Sequence, residues 1–165
     1  MTSNAVGRIG AWSAILSWPV LIAGFVTQST LIIALAQFMT IPFFYALLVA
    51  HRARNRTMAA VVGYAAIAAS AVMAVTSGDI EGAAWIAGSV VSGLAILAFS
   101  YLGVSSPVVP NVLAAIGVVF GATQLFSAFV PLPDDSIVPL FVLLSGIIWT
   151  VWLSVLLLRG RLVEA

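Results

Sequence analysis

The sequence predicts an all-α polytopic membrane bundle of six transmembrane helices, with both termini in the cytoplasm. Three observations carry this. The chain is extremely apolar, its polar breaks leave runs of membrane-spanning length, and its arginines fall on alternate breaks. The mean hydropathy is +1.22. Hydrophobic residues make up 63% of the chain and charged residues 7%, against about a quarter charged in a soluble domain. A soluble protein this apolar could not cover its surface with polar groups, whereas a bilayer protein need not. At 165 residues the chain is a single integral membrane domain, 1–165.

A spanning helix takes roughly 20 mostly apolar residues. The apolar stretch from Gly10 to Leu158 is interrupted by "VTQST" (26–30), "HRARNR" (51–56), "SGDIEG" (77–82), "GVSSPVVPN" (103–111) and "VPLPDDS" (130–136). These breaks delimit spans over 10–27, 30–51, 58–77, 83–102, 110–130 and 137–158. Thr57 is positioned to cap the third helix, Asn111 the fifth, and Asp135 or Ser136 the sixth. Pro139 then lies in the first turn of the sixth helix, where a missing N–H costs little. Pro19 and Pro42 fall inside the first two helices. The runs lack the period-two alternation of barrel strands, so helices are the remaining way to satisfy a backbone in lipid.

The arginines orient the chain. There are six, with no lysine, and three of them sit in "HRARNR". Positive residues resist translocation and collect on cytoplasmic flanks. With six spans, Arg8, then Arg52, Arg54 and Arg56, then Arg159 and Arg161 share one side. Asp79, Glu81, Asp134 and Asp135 share the other, and only Glu164 breaks the pattern. Five spans would set Arg8 against the other basic clusters. The composition, rich in Ala, Val and Gly with Arg in place of Lys, points to a bacterial inner (plasma) membrane. "ALAQ" (34–37) has the small-x-small form of a signal-peptide cleavage site, but the apolar run before it is too long, so cleavage is not expected.

Lipid gives no hydrophobic force between helices, so small residues at helical spacing mark their contact faces. The fifth helix carries Ala114, Gly117, Gly121, Gln124 and Ala128 in this spacing. The third has Ala59, Gly63, Ala66, Ser70, Ala74 and Ser77, the fourth Ala84, Gly88, Ser92 and Ala95, and the first Gly10, Ala14, Ser17 and Gly24. Large residues are expected to face lipid, including "FFY" (43–45). Trp12 and Trp85 are expected near opposite interfaces, and Trp18, Trp149 and Trp152 deeper, packed against small residues or kinks.

Gln37 and Gln124 are the most costly side chains within the spans. Counted from the helix centres, each lies toward the outside, Gln124 by roughly 5–6 Å at about 1.5 Å per residue. Ser70, Ser89 and Ser145 fall at similar depth, which gives a candidate buried polar layer. One reading makes that layer an interhelical clamp worth about 1 kcal/mol per bond; polar groups inside bundles are commonly satisfied by neighbours. The other makes it the floor of a pocket open to the outside for a neutral or amphipathic molecule. Either way the two amides are expected to face inward, bonded to each other or lining one cavity.

Several chemistries lack their residues. Zero cysteines exclude disulfides and thiolate metal sites, and a net charge of +1 excludes a nucleic-acid partner. No ionisable residue lies well inside a span, where proton-coupled pumps keep theirs. The lone His51 reads as an interfacial anchor beside the arginines, and no base is at hand to activate a serine. No catalytic residue, metal or cofactor is therefore expected. The basic turn determines topology, or else Arg52, Arg54 and Arg56 contact phosphorylated lipid headgroups. The acidic loops mark the non-cytoplasmic face or loosely hold a divalent cation. "AW" at 11–12 and 84–85, and "AQF" against "TQLF", echo at different offsets, so no internal repeat is read.

"PNVLAAIGVVFGATQLF" followed by "LFVLLSGIIWTVWLSVLLLRGR" resembles the closing two helices of small bacterial multipass membrane proteins without an assigned activity. There, a Pro-containing turn leads into a Gly-rich helix, and a Trp-containing helix ends in arginine. The resemblance covers about sixty residues and transfers no functional residue. The expected function is that of a non-enzymatic membrane component: a partner-binding, lipid-interacting or assembly subunit. The alternative is a small permease or channel for a neutral or hydrophobic molecule, and a lipid-modifying enzyme ranks third. Membrane lipids are the expected partners, together with a second copy of the chain or a protein partner.

Overall fold

The structure is a computed structural model that describes residues 2–104, 106–130 and 137–162, the side chain of Val138 excepted. It contains α1 (Ser3–Thr27), α2 (Thr30–His51), α3 (Arg56–Val75), α4 (Ala83–Val104), α5 (Asn111–Phe129) and α6 (Val138–Leu158). All six are long and apolar enough to cross a bilayer. Each helix packs chiefly on its neighbours in sequence, and α6 returns to pack on α1, so the six form a closed ring.

Local chemistry sets where the helices begin and end. Thr2 caps α1, its side chain accepting from Ala5 N–H, so that helix starts well before the expected residue 10. Gln28 closes it in the left-handed region at φ 52°, with its amide and that of Ser29 returning to carbonyls of the last turn. Ser29 then caps α2. Asn55, not Thr57, caps α3: its carboxamide oxygen accepts from Met58 N–H at 3.0 Å, and α3 starts at Arg56. Asn111 is the first helical residue of α5 rather than its cap; Pro110 precedes it in extended geometry and makes no side-chain cap bond. Pro139 does occupy the first turn of α6, while Asp135 and Ser136 lie outside the described residues. Pro19 and Pro42 are inside α1 and α2.

A glycine sits at a close approach at every seam of the ring. A Cβ built on Gly10 would stand 2.7 Å from the Pro42 carbonyl oxygen (α1 on α2), one on Gly63 2.6 Å from Leu48 (α3 on α2), and one on Gly88 2.7 Å from Met73 (α4 on α3). On Gly121 it would stand 2.8 Å from the Gly93 carbonyl oxygen (α5 on α4). On Gly117 it would run into the Trp149 indole (α5 on α6), and on Gly146 it would stand 2.6 Å from the Trp18 ring (α6 on α1). The small-residue faces read from the sequence are largely the buried ones. Ala84 is exposed, and Gln124 and Ala128 are only partly covered.

The contacts run antiparallel, α1's start against α2's end and so on round the ring. The arginines therefore share one end of the bundle, and Asp79 and Glu81 lie at the other. Asp134, Asp135 and Glu164 fall outside the described residues. Three expectations are corrected. Phe43 and Phe44 are buried in the core rather than facing outward, and only Tyr45 of that run is exposed. His51 is 2% exposed, held in the core by its Nδ1 against the Leu47 carbonyl at 2.9 Å and by Phe99 at 5.6 Å between ring centroids. Trp152 lies on the outer surface.

The seams supply a direct test. In Gly121→Ala the new methyl meets backbone oxygen, which cannot rotate away, so α4 and α5 must separate at a cost of about 1–3 kcal/mol. Gly78→Ala places its methyl in open space, with nothing within 4 Å, and should stay within about 0.5 kcal/mol of the parent. Thermal unfolding in one detergent compares the two.

Candidate functional site

The two halves of the bundle are filled differently. Toward the arginine end, Phe43, Phe44, Leu47, Phe99, Leu113 and Leu153 close the interior. Toward the acidic end many of the inward residues are small or short and polar, Ser17 on α1, Ala36 and Thr40 on α2, Ser70 on α3, and Ser89 and Ser92 on α4, interspersed with larger ones such as Leu21, Met73 and Trp85. The seams stay tight there while the side chains fail to reach the axis. A cavity of about 550 Å³ results, lined by all six helices. It extends to Phe25, Trp85, Ser127 and Pro139, within a turn or so of the acidic ends of their helices.

Aromatic rings form its floor. Phe43 meets Trp149 edge-on at 6.0 Å, Trp149 meets Phe120 at 6.0 Å, and Phe120 meets Trp18 at 6.3 Å. The series continues from Phe43 through Phe44 and Phe99 to His51. Rings thus run without a break from the cavity wall to the arginine end. Trp149, 2% exposed, fits only because Gly117 has no side chain.

Four of the five residues of the expected polar layer line this cavity: Gln37, Gln124, Ser70 and Ser89. Ser145 does not; it is buried and returns its hydroxyl to the Phe141 carbonyl of its own helix. The two amides share the space without bonding each other. Gln124 donates from Nε2 to the Ser89 carbonyl at 3.4 Å, across α5 and α4. Gln37 has no side-chain hydrogen bond to any described residue.

The clamping is done by other groups. The Thr40 hydroxyl lies 2.8 Å from that of Ser70, and Ser77 donates to the Thr30 carbonyl at 3.0 Å, both joining α2 to α3. Ser89 reaches the Met73 sulfur at 3.6 Å, joining α4 to α3. Clamp and pocket are therefore not alternatives: the hydroxyls hold helices together and leave the Gln37 amide in the cavity without a partner among the described residues. No ionisable side chain is among the described lining residues. The cavity can hold an uncharged molecule by apolar contact and offer it both halves of a carboxamide.

Sequence reasoning missed the aromatic floor and Thr40. A signal was present: Ile33, Ala36, Thr40, Phe43/Phe44, Leu47 and His51 recur at three- and four-residue steps on one face of α2, the face that also carries Gln37. Of the three headgroup candidates, Arg52 and Arg56 are exposed and Arg54 is half-buried. Comparison with known proteins gives no match, whether to a family model, a curated protein or a solved structure.

The division of labour predicts opposite stability effects. Thr40→Val removes the link to Ser70 and should cost on the order of 1 kcal/mol. Gln37→Leu removes no hydrogen bond and puts an apolar group in an apolar space, so the unfolding midpoint should be unchanged or raised. Thermal unfolding of the two variants in parallel checks this.

Proposed function

We propose that the protein is a non-enzymatic component of a bacterial inner membrane, and that its cavity binds a neutral, mainly apolar molecule carrying a hydrogen-bonding group. The observation that carries the proposal is the cavity itself. It is reached by all six helices, floored by aromatic rings, free of charge, and furnished with an amide that has no partner among the described residues. Its volume falls within the ~300–1,000 Å³ of small-molecule sites, which are mostly apolar with a few placed polar groups. In this reading the arginine end, with both termini, is cytoplasmic, so the ligand enters from the outer side or the outer leaflet.

Three tryptophans line the cavity, Trp18, Trp85 and Trp149, and make binding visible without a label. Purified protein in lipid nanodiscs, titrated with a panel of uncharged lipophilic compounds, should show saturable fluorescence change for at least one compound class. Gln37→Leu should weaken that binding by about tenfold, as expected for a lost hydrogen bond in a dry site. Saturation by no compound, or binding indifferent to Gln37, removes the proposal. The orientation has its own check: reporter fusions after residues 54 and 80 should fall on opposite sides, with the N-terminus on the side of residue 54.

A second reading, a small permease for the same kind of molecule, is favoured by one feature. The path toward the arginine end is blocked by side-chain rings rather than by crossing backbone. Ligand-dependent uptake into proteoliposomes separates a carrier from a binding protein.

A further inference from the structure

A second site lies at the opposite end of the molecule. We propose that the pocket beside Arg54 binds a phosphate-bearing group, either a lipid headgroup or free phosphate. The pocket, about 290 Å³, is lined by Arg54, Asn55 and Met58 from the α2–α3 turn and α3, and by Tyr101, Leu102 and Val104 from the end of α4.

The chain's arginines are not equivalent there. Arg52 and Arg56 are exposed, so water solvates them. Arg54 is half-buried; one of its terminal guanidinium nitrogens, Nη2, is removed from solvent and has no hydrogen-bond partner among the described residues. Donors shut away from water without an acceptor are costly, and charged ones more so. The carboxylates among the described residues, Asp79 and Glu81, are at the far end of the bundle and cannot supply the missing acceptor.

The geometry of the turn fixes this arrangement. The amides of Arg54 and Asn55 both return to the His51 carbonyl, at 3.1 and 3.2 Å, which folds the turn back on α2. Asn55 then spends its carboxamide oxygen on Met58 N–H. The first two amides of α3, those of Arg56 and Thr57, are left without an acceptor among the described residues, at the positive end of a helix.

An acceptor-rich tetrahedral anion answers these needs together. Its oxygens can take the Arg54 guanidinium, and the start of α3 beside the pocket adds the positive end of a helix. Met58, Leu102 and Val104 add an apolar wall suited to the glyceryl and acyl portion of a lipid, and Tyr101 closes the side. The site shares no residue with the cavity at the acidic end, so it stands or falls independently of the ligand proposed there.

The test uses the full chain in a neutral detergent. It is titrated separately with inorganic phosphate, short-chain phosphatidic acid and short-chain diacylglycerol, with adducts counted by native mass spectrometry and stability followed by thermal midpoint. Saturable binding of phosphate or phosphatidic acid is expected, and Arg54→Gln should weaken it by about tenfold or more. Arg52→Gln, which removes an exposed charge from the same turn, should change it by no more than about twofold. Arg54→Lys should restore part of the loss, showing that the charge and not the fold is at issue.

Binding of phosphate that competes with the lipid identifies the anion alone as sufficient, whereas saturation by phosphatidic acid without phosphate competition identifies the headgroup. Equal losses in Arg54→Gln and Arg52→Gln would reduce the effect to diffuse surface charge and overturn the site. So would the absence of saturation with both phosphate and phosphatidic acid, or equal binding of the phosphate-free diacylglycerol.

Discussion

Close approach at glycine is the constraint on which the rest of this structure depends. Helices surrounded by lipid gain nothing by hiding leucine from lipid, so they must be held by packing and a few hydrogen bonds. Here each of the six seams has a glycine where a methyl group would collide with the neighbouring helix. At the α4–α5 seam the two glycines, Gly93 and Gly121, face each other's carbonyl oxygens. Closing the ring at all six seams fixes its circumference. Whether its interior is solid or hollow is then decided by the size of the side chains that point inward.

That size changes along the axis. At the arginine end, phenylalanine and leucine fill the space that the ring encloses. Beyond the level of Trp149 serine, alanine and threonine take many of the inward positions, and the same ring encloses a void. The cavity is thus a consequence of small residues serving two purposes on one helix, tightening the seam and failing to fill the centre. The hydroxyls among them also link α2, α3 and α4. This division leaves Gln37 without a structural task among the described residues.

Much of this order is readable from the chain. The breaks, the number of helices and the stripes of small residues follow from length, hydropathy and spacing. So does the depth of Gln37 and Gln124, because counting along a helix gives height directly. Facing is harder. Nearly every segment is apolar on all sides, so hydrophobicity does not distinguish the lipid face from the core face, and Phe43 and Phe44 read as lipid-facing when taken alone. Their burial becomes visible only when the periodic face of α2 is followed from Ile33 to His51. Caps fail for a related reason: Asn55 and Thr57 are both competent, and the turn held by the His51 carbonyl decides between them. The inequality of Arg54 among its neighbours depends on α4 arriving beside it, which no local pattern announces.

The floor of the cavity bears on what a bound molecule could do next. Trp149 sits in a notch made by Gly117 and is touched by Phe43 on one side and Phe120 on the other. A ring so enclosed has no alternative rotamer to adopt unless its neighbours move, since interiors packed to this density transmit displacement rather than absorb it. Phe43 in turn abuts Phe44, which stacks on Phe99, so clearing a path requires these rings to move together. A channel that stays open is incompatible with such a floor. A carrier would need several packed rings to move in concert, and a binding protein needs no such movement, which is why binding is the more economical account of the cavity.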